Sequence, residues 1–119
     1  MTEIQEAVTA LSQSEKIKAG LVWVSQTLEI AHALPPGEKQ GAEKIIRVMT
    51  QMISDEANLA RRLTADPAWK DVQKHIEKAL VMIRSGVPQE ASFHLTRALP
   101  QVTAIGQRAM SFLKEQGML

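Results

Sequence analysis

Apolar residues recur along most of the chain at helical spacing, and changes in the phase of that repeat divide it into segments. The longest clean run is 42–63, AEKIIRVMTQMISDEANLARRL. There Ile45, Ile46, Met49, Met52, Ile53, Leu59, Ala60 and Leu63 fall on one arc, with Arg47, Gln51, Ser54, Asn58, Arg61 and Arg62 largely outside it. Upstream, Ile17, Leu21, Val24, Leu28 and Ala31 stand at i, i+4, i+7, i+11 and i+14, which predicts a core-facing helix. A second stripe lies beside the first: Trp23, Ile30 and Leu34, with Ala19, Gly20 and Thr27 between them. Together the two stripes are wider than one neighbouring helix needs. Either the N-terminal segment folds back over this flank, or the flank is a subunit interface.

That N-terminal segment places Ile4, Ala7, Val8 and Leu11 on one face, with Thr2 and Gln5 at capping-box spacing. Its face is offset by roughly 130° from the one that follows. Ser12 and Ser14 stand at the change, and Ser12-x-x-Glu15 offers a second capping box. A short separate helix and a bend near Gln13 are therefore expected.

Turn chemistry sets the remaining boundaries. Pro35-Pro36-Gly37 stops one helix. Asp66-Pro67 starts another, since Asp accepts from free backbone N–H groups and Pro at the first position lacks the donor that would go unpaired. Trp69, Val72, Ile76, Leu80 and Ile83 form its inward stripe, Lys70, Lys74 and Lys78 lie outside, and Ser85-Gly86 closes it. The last helix carries Ala91, Leu95, Ala98, Leu99, Val102, Ile105, Ala109 and Leu113 on one face. Pro100 falls almost opposite that face, so a solvent-side kink is expected rather than a break. Phe93 also points away from it.

The expected fold is one all-α domain over 1–119. It is a four-helix up-and-down antiparallel bundle of helices 14–34, 38–64, 67–85 and 88–116, with a short extra N-terminal helix over 1–12.

Composition removes several classes of function. A net charge of +1, from 14 basic and 13 acidic residues, gives no field for phosphate backbones or anionic lipid. The absence of cysteine excludes thiol catalysis, thiolate metal sites and disulfides. With no tyrosine and only Trp23, Trp69, Phe93 and Phe112 as aromatics, base-stacking surfaces are poorly supplied. Paired Arg61 and Arg62 flank an ordinary helical hairpin without a recognition helix, so no nucleic-acid partner is expected. No apolar run is long enough for a spanning helix, and residues 1–16 lack a secretory pattern, so no membrane partner and a cytoplasmic location are expected.

No glycine-rich phosphate loop, HExxH or GxSxG is present, and no catalytic residue or cofactor is assigned. Glu29 and His32 have the Glu-x-x-His spacing that puts both groups on one side of a helical turn. With Glu90 and His94 they are the only metal candidates, although a di-metal bundle needs a second such pair.

Glu56 is the stronger anomaly. It lies about 20° from Ile45 and Leu63 on the helical wheel, near the centre of the apolar arc. A carboxylate buried there requires a partner, and Arg97 or Lys16 stands at its level. Glu56 is thus read as a buried polar group paired with one of them or, alternatively, as the polar end of a ligand pocket with Met49 and Met52. On the first reading, Glu56→Leu should alter stability or oligomeric state more than any other Glu→Leu change. The function expected is a non-catalytic protein–protein interaction or regulatory module. It is a homodimer, or binds another protein, through Trp23, Ile30, Leu34 and Phe93. The alternative is a small-ligand or metal-binding bundle, possibly an enzyme.

Overall fold

The structure is a computed structural model that describes residues 1–119. It is all-helical: α1 (Glu3–His32), α2 (Pro36–Leu63), α3 (Ala68–Arg84), a single 3₁₀ turn at Pro88–Glu90, and α4 (Ala91–Glu115). Each helix packs on its neighbour in sequence and α1 also packs on α4, so the four close a ring around a shared core. The molecule measures 53 × 22 × 18 Å.

The separate N-terminal helix and the bend at Gln13 do not occur, because α1 runs unbroken from Glu3 to His32. Besides Gln13 and Gly20, its buried positions are Ala7, Ala10, Ser14, Ile17, Leu21, Val24, Leu28 and Ala31, alternating steps of three and four along one heptad seam. Alanine and serine continue the seam where larger apolar residues stop. Gly106 makes room for Ser14, since a Cβ at 106 would come within 2.6 Å of the serine Oγ. That hydroxyl is satisfied by the Leu11 carbonyl at 2.8 Å. The capping box at Thr2 and Gln5 forms as the spacing predicts. The second one cannot form inside a continuous helix, and Glu15 pairs with Lys18 instead.

The inward face of α2 is also different from the expected one. Its seam is Ile46, Thr50, Ala57, Ala60 and, just beyond the helix, Thr64, with Ile53 partly buried between them. Small residues fill it, and the hydroxyls of Thr50 and Thr64 bond back to the carbonyls of Ile46 and Ala60 at 2.7 and 2.8 Å. The arc of larger apolar residues is centred about 80° away on the wheel. Ile45, Val48, Met52 and Leu63 are consequently exposed.

In α3, Trp69, Val72, Ile76, Ala79, Leu80 and Ile83 are buried as a single stripe, and Trp69 is 0% exposed with its indole N–H unpaired. The helix ends in a Schellman arrangement: Gly86 has φ +80° and the Val87 N–H donates to the Met82 carbonyl at 3.0 Å. Asp66 caps the start as expected, accepting from the Ala68 N–H at 3.0 Å. It also accepts a fork from Arg108 at 2.9 and 3.1 Å. Burial alone would raise the Asp66 carboxyl, but Arg108 and the Ala68 N–H outweigh it and hold the pKa below its ordinary 3.8. The last helix passes through Pro100 without a break, and the proline is exposed. Solvent can therefore take the carbonyl that its missing N–H leaves free.

Candidate functional site

The seam between α1 and α2 carries more apolar surface than the core uses. Outside its buried stripe, α1 has a second set of positions, Lys16, Gly20, Trp23, Thr27 and Ile30, which Leu34 continues just past the helix end. On α2 the corresponding set is Ala42, Ile45, Met49, Met52 and Glu56. Both sets step by threes and fours, the spacing of a helix-packing seam. They meet in one groove with two hollows. The first, about 310 Å³, is lined by Lys16, Ile17, Gly20, Trp23, Met49, Met52, Ile53 and Glu56. The second, about 180 Å³, continues along Thr27, Ile30, Leu34, Ala42, Ile45 and Met49. Around them Trp23 is 61% exposed, Ile30 64%, Ile45 65% and Met52 60%.

A close approach of the two helices shapes the groove floor. A Cβ on Gly20 would meet Ile53 Cγ1 at 2.9 Å, so glycine is what lets Ile53 lie against α1 there. The polar end is Glu56. Its Oε2 accepts from Gln13 Nε2 at 2.9 Å and lies 3.5 Å from Lys16 Nζ, while Oε1 has no donor within the chain. Gln13 Nε2 also reaches the Glu56 carbonyl at 3.2 Å, which accounts for a buried glutamine at the position where a helix break was expected.

Glu56 is therefore not a core carboxylate. Its side chain is 34% exposed at the groove rim, because the α2 seam is rotated away from it. Of the two partners considered, Lys16 is the one beside it, and Lys16 is itself well exposed. Arg97 is elsewhere, on α4, with its guanidinium 4.6 Å from the centre of the Phe93 ring. Met49, Met52 and Glu56 do converge on one hollow, joined by Trp23. Trp23, Ile30 and Leu34 share the groove, but Phe93 does not: it is exposed on α4 and stacks edge-on with His94 at 5.3 Å.

The proposed metal quartet is not assembled. No three His, Asp or Glu side chains converge closely enough to hold an ion, so Glu29, His32, Glu90 and His94 remain separate polar groups. Sequence reasoning passed over His75. Its Nδ1 is buried without a partner. Burial, together with nearby Lys78, Arg97 and His94, pushes its pKa below the ordinary 6.5 against the opposing charge of Asp71.

The site offers no nucleophile beside a base, no paired carboxylates and no phosphate cradle. What it offers is an apolar trough with one free carboxylate oxygen. No helix is long and apolar enough to cross a membrane. No family model, curated protein or solved structure matches the chain.

Proposed function

We propose that the protein is a non-catalytic helical interaction module that self-associates through the outer α1–α2 face. The observation that carries this reading is the second heptad-spaced stripe on both helices, which no part of the chain covers. The N-terminal segment, the one candidate cover, forms the first turns of α1 and packs along the bundle instead. Trp23, Ile30, Ile45, Val48 and Met52 together expose an apolar patch on the order of several hundred Å², at the size where patches mark interfaces. A trough lined at three-and-four spacing fits helices, and a second copy supplies two of matching character.

An up-and-down antiparallel bundle is the topology that best fits the side-chain ties. Glu6 accepts from the Ala65 N–H and Gln13 bonds to Glu56, so early α1 lies beside late α2. Arg61 reaches Gln73, which sets late α2 beside early α3, and Arg84 reaches Gln51, which sets the end of α3 beside the middle of α2. In such a bundle, the outer α1–α2 face presents two antiparallel helices to a partner.

The test is solution mass by sedimentation across a dilution series, for the natural chain and for Ile45→Glu. The natural chain should be dimeric and dissociate on dilution. Ile45→Glu should be monomeric and melt close to the dissociated natural chain, because Ile45 is two-thirds exposed in the monomer. A natural chain that stays monomeric at every concentration overturns the proposal.

The convergence of Met49, Met52 and Glu56 supports a second reading. In it, the larger hollow takes a small molecule with an apolar body and a donor that reaches Glu56. Ligand-dependent melting of a strict monomer would favour this reading over the first.

A further inference from the structure

Building on the proposed self-association, we infer that Trp23 is its anchor: each copy inserts its indole into the other's Trp23–Met49–Met52 hollow and donates the ring N–H to Glu56. Three observations on one face combine here. Trp23 is a knob, 61% exposed on a stable helix with nothing in the chain packed over it. Beside it is a hole of about 310 Å³, floored by Gly20 and Ile53 and walled by Met49 and Met52. At the edge of that hole, Glu56 holds out an oxygen that no donor in the chain uses.

Adjacent knob and hole are what an isologous contact requires. A two-fold axis lying in the interface and running midway between Trp23 and the hollow carries each knob onto the partner's hole, so both insertions occur at once. The chemistry matches as well. Indole combines a large apolar body with a single donor, tryptophan and methionine are enriched at interfaces, and methionine adapts its shape to an aromatic partner. Lys16 and Gln13 hold the carboxylate from its other oxygen, so Glu56 is positioned before the partner arrives.

The size of the face is compatible. From the level of Lys16 to that of Leu34 the groove spans about 27 Å of helix, and two helices make it roughly 20 Å wide. Its projected area is thus on the order of 500 Å², against about 800 Å² of accessible surface per partner in a standard interface. Side-chain relief raises the accessible area above the projected one. Continuation into the second hollow at Ile30, Leu34 and Ile45 extends the same contact along the seam.

Tryptophan emission reads the anchor directly, because the only other tryptophan, Trp69, is fully buried. Acrylamide quenching is measured beside sedimentation across the same dilution series. At dimeric concentrations both tryptophans should resist the quencher, and a quenchable fraction should appear on dilution in step with the loss of mass. Trp23→Ala should weaken dimerisation by roughly thirty-fold or more per site while keeping the helical signal and the melting temperature of the monomer. Glu56→Gln keeps an acceptor and should remain dimeric. A dimer in which Trp23 stays fully quenchable overturns the anchor and leaves self-association standing, as does a Trp23→Ala dimer of unchanged affinity. A chain that is monomeric throughout overturns both.

Discussion

The two halves of the bundle solve the same packing problem with different surpluses. The α3–α4 half buries one stripe per helix and turns charge outward: Trp69, Val72, Ile76 and Ile83 face in, and Lys70, Asp71, Lys74, Glu77 and Lys78 face solvent. Its exposed large apolar residues, Val81, Phe93 and Met110, are scattered, and Phe93 is capped by Arg97. In the α1–α2 half, the inner seam is filled largely by Ala, Ser, Thr and medium aliphatic side chains, while Trp23, Ile30, Ile45, Val48 and Met52 are left outside. A chain with only four aromatics keeps one tryptophan at full burial and another in water, and on the proposed function that contrast separates stability from recognition.

The largest expected effect tests that separation through the two tryptophans. Trp69→Ala should cost about 3–5 kcal/mol, seen as a large drop in the denaturation midpoint, because the cavity lies at the base of the α3 stripe. Trp23→Ala, measured on dilute monomer, should stay within about 0.5 kcal/mol. Similar losses from both would mean that the outer face carries folding energy and is no spare surface.

A middle-sized effect probes the close α1–α4 approach at Ser14 and Gly106. Gly106→Ala puts a Cβ 2.6 Å from Ser14 Oγ and should destabilise by about 1–3 kcal/mol. In a Ser14→Ala background the nearest side-chain atom is the Cβ at 3.4 Å, so most of the loss should be recovered and the double-mutant cycle should show coupling. Additive losses would argue that the two helices do not approach at these positions.

The smallest effects are pH-dependent and belong to the α3–α4 half and its turn. The folded pKa of His75 lies below 6.5, so its share of stability is complete above that pH and is lost as pH falls through the folded value. Asp66 behaves likewise from 3.8 downward, as protonation releases Arg108. Denaturant midpoints at pH ~7.5 and ~5 should therefore differ less for His75→Gln than for the natural chain, with Asp66 still ionised at both. An unchanged difference would exclude His75 as its source.

Much of this was legible in the sequence, and the errors share one cause. Turn chemistry located three of the boundaries, at Pro35-Pro36-Gly37, Asp66-Pro67 and Ser85-Gly86, because those residues act locally. The α3 stripe could be read directly because its apolar residues are large and few. The α1 stripe from Ile17 to Ala31 is buried as its spacing predicts, whereas in the first turns of α1 and in α2 the largest apolar side chains do not mark the inward face. In α1 the seam passes through Ala7, Ala10 and Ser14, so it looked interrupted. In α2 it passes through Thr50, Ala57, Ala60 and Thr64, so the arc of Ile45, Met52 and Leu63 looked like the core and Glu56 like a buried charge. Close helix approach favours small residues, and a periodicity weighted by apolar size cannot see it. The second α1 stripe was recognised, but its continuation along Ile45, Met49 and Met52 was hidden by that assignment.

The revised position also narrows the expectation for Glu56 from stability or oligomeric state to oligomeric state. With Gln13 keeping the Glu56 carbonyl as a second acceptor, Glu56→Leu should leave stability nearly unchanged and act on association alone.

The claim that the outer α1–α2 face is the docking side is tested most directly by methionine methyl NMR across a dilution series, since methionines mark both halves of the bundle. Met49 and Met52 line the groove, while Met82 lies on α3 and Met110 on α4. The account predicts that the methyl signals of Met49 and Met52 shift together as the protein associates, while those of Met82 and Met110 stay fixed. Shifts confined to Met82 and Met110, or no concentration dependence at any of the four, would contradict it.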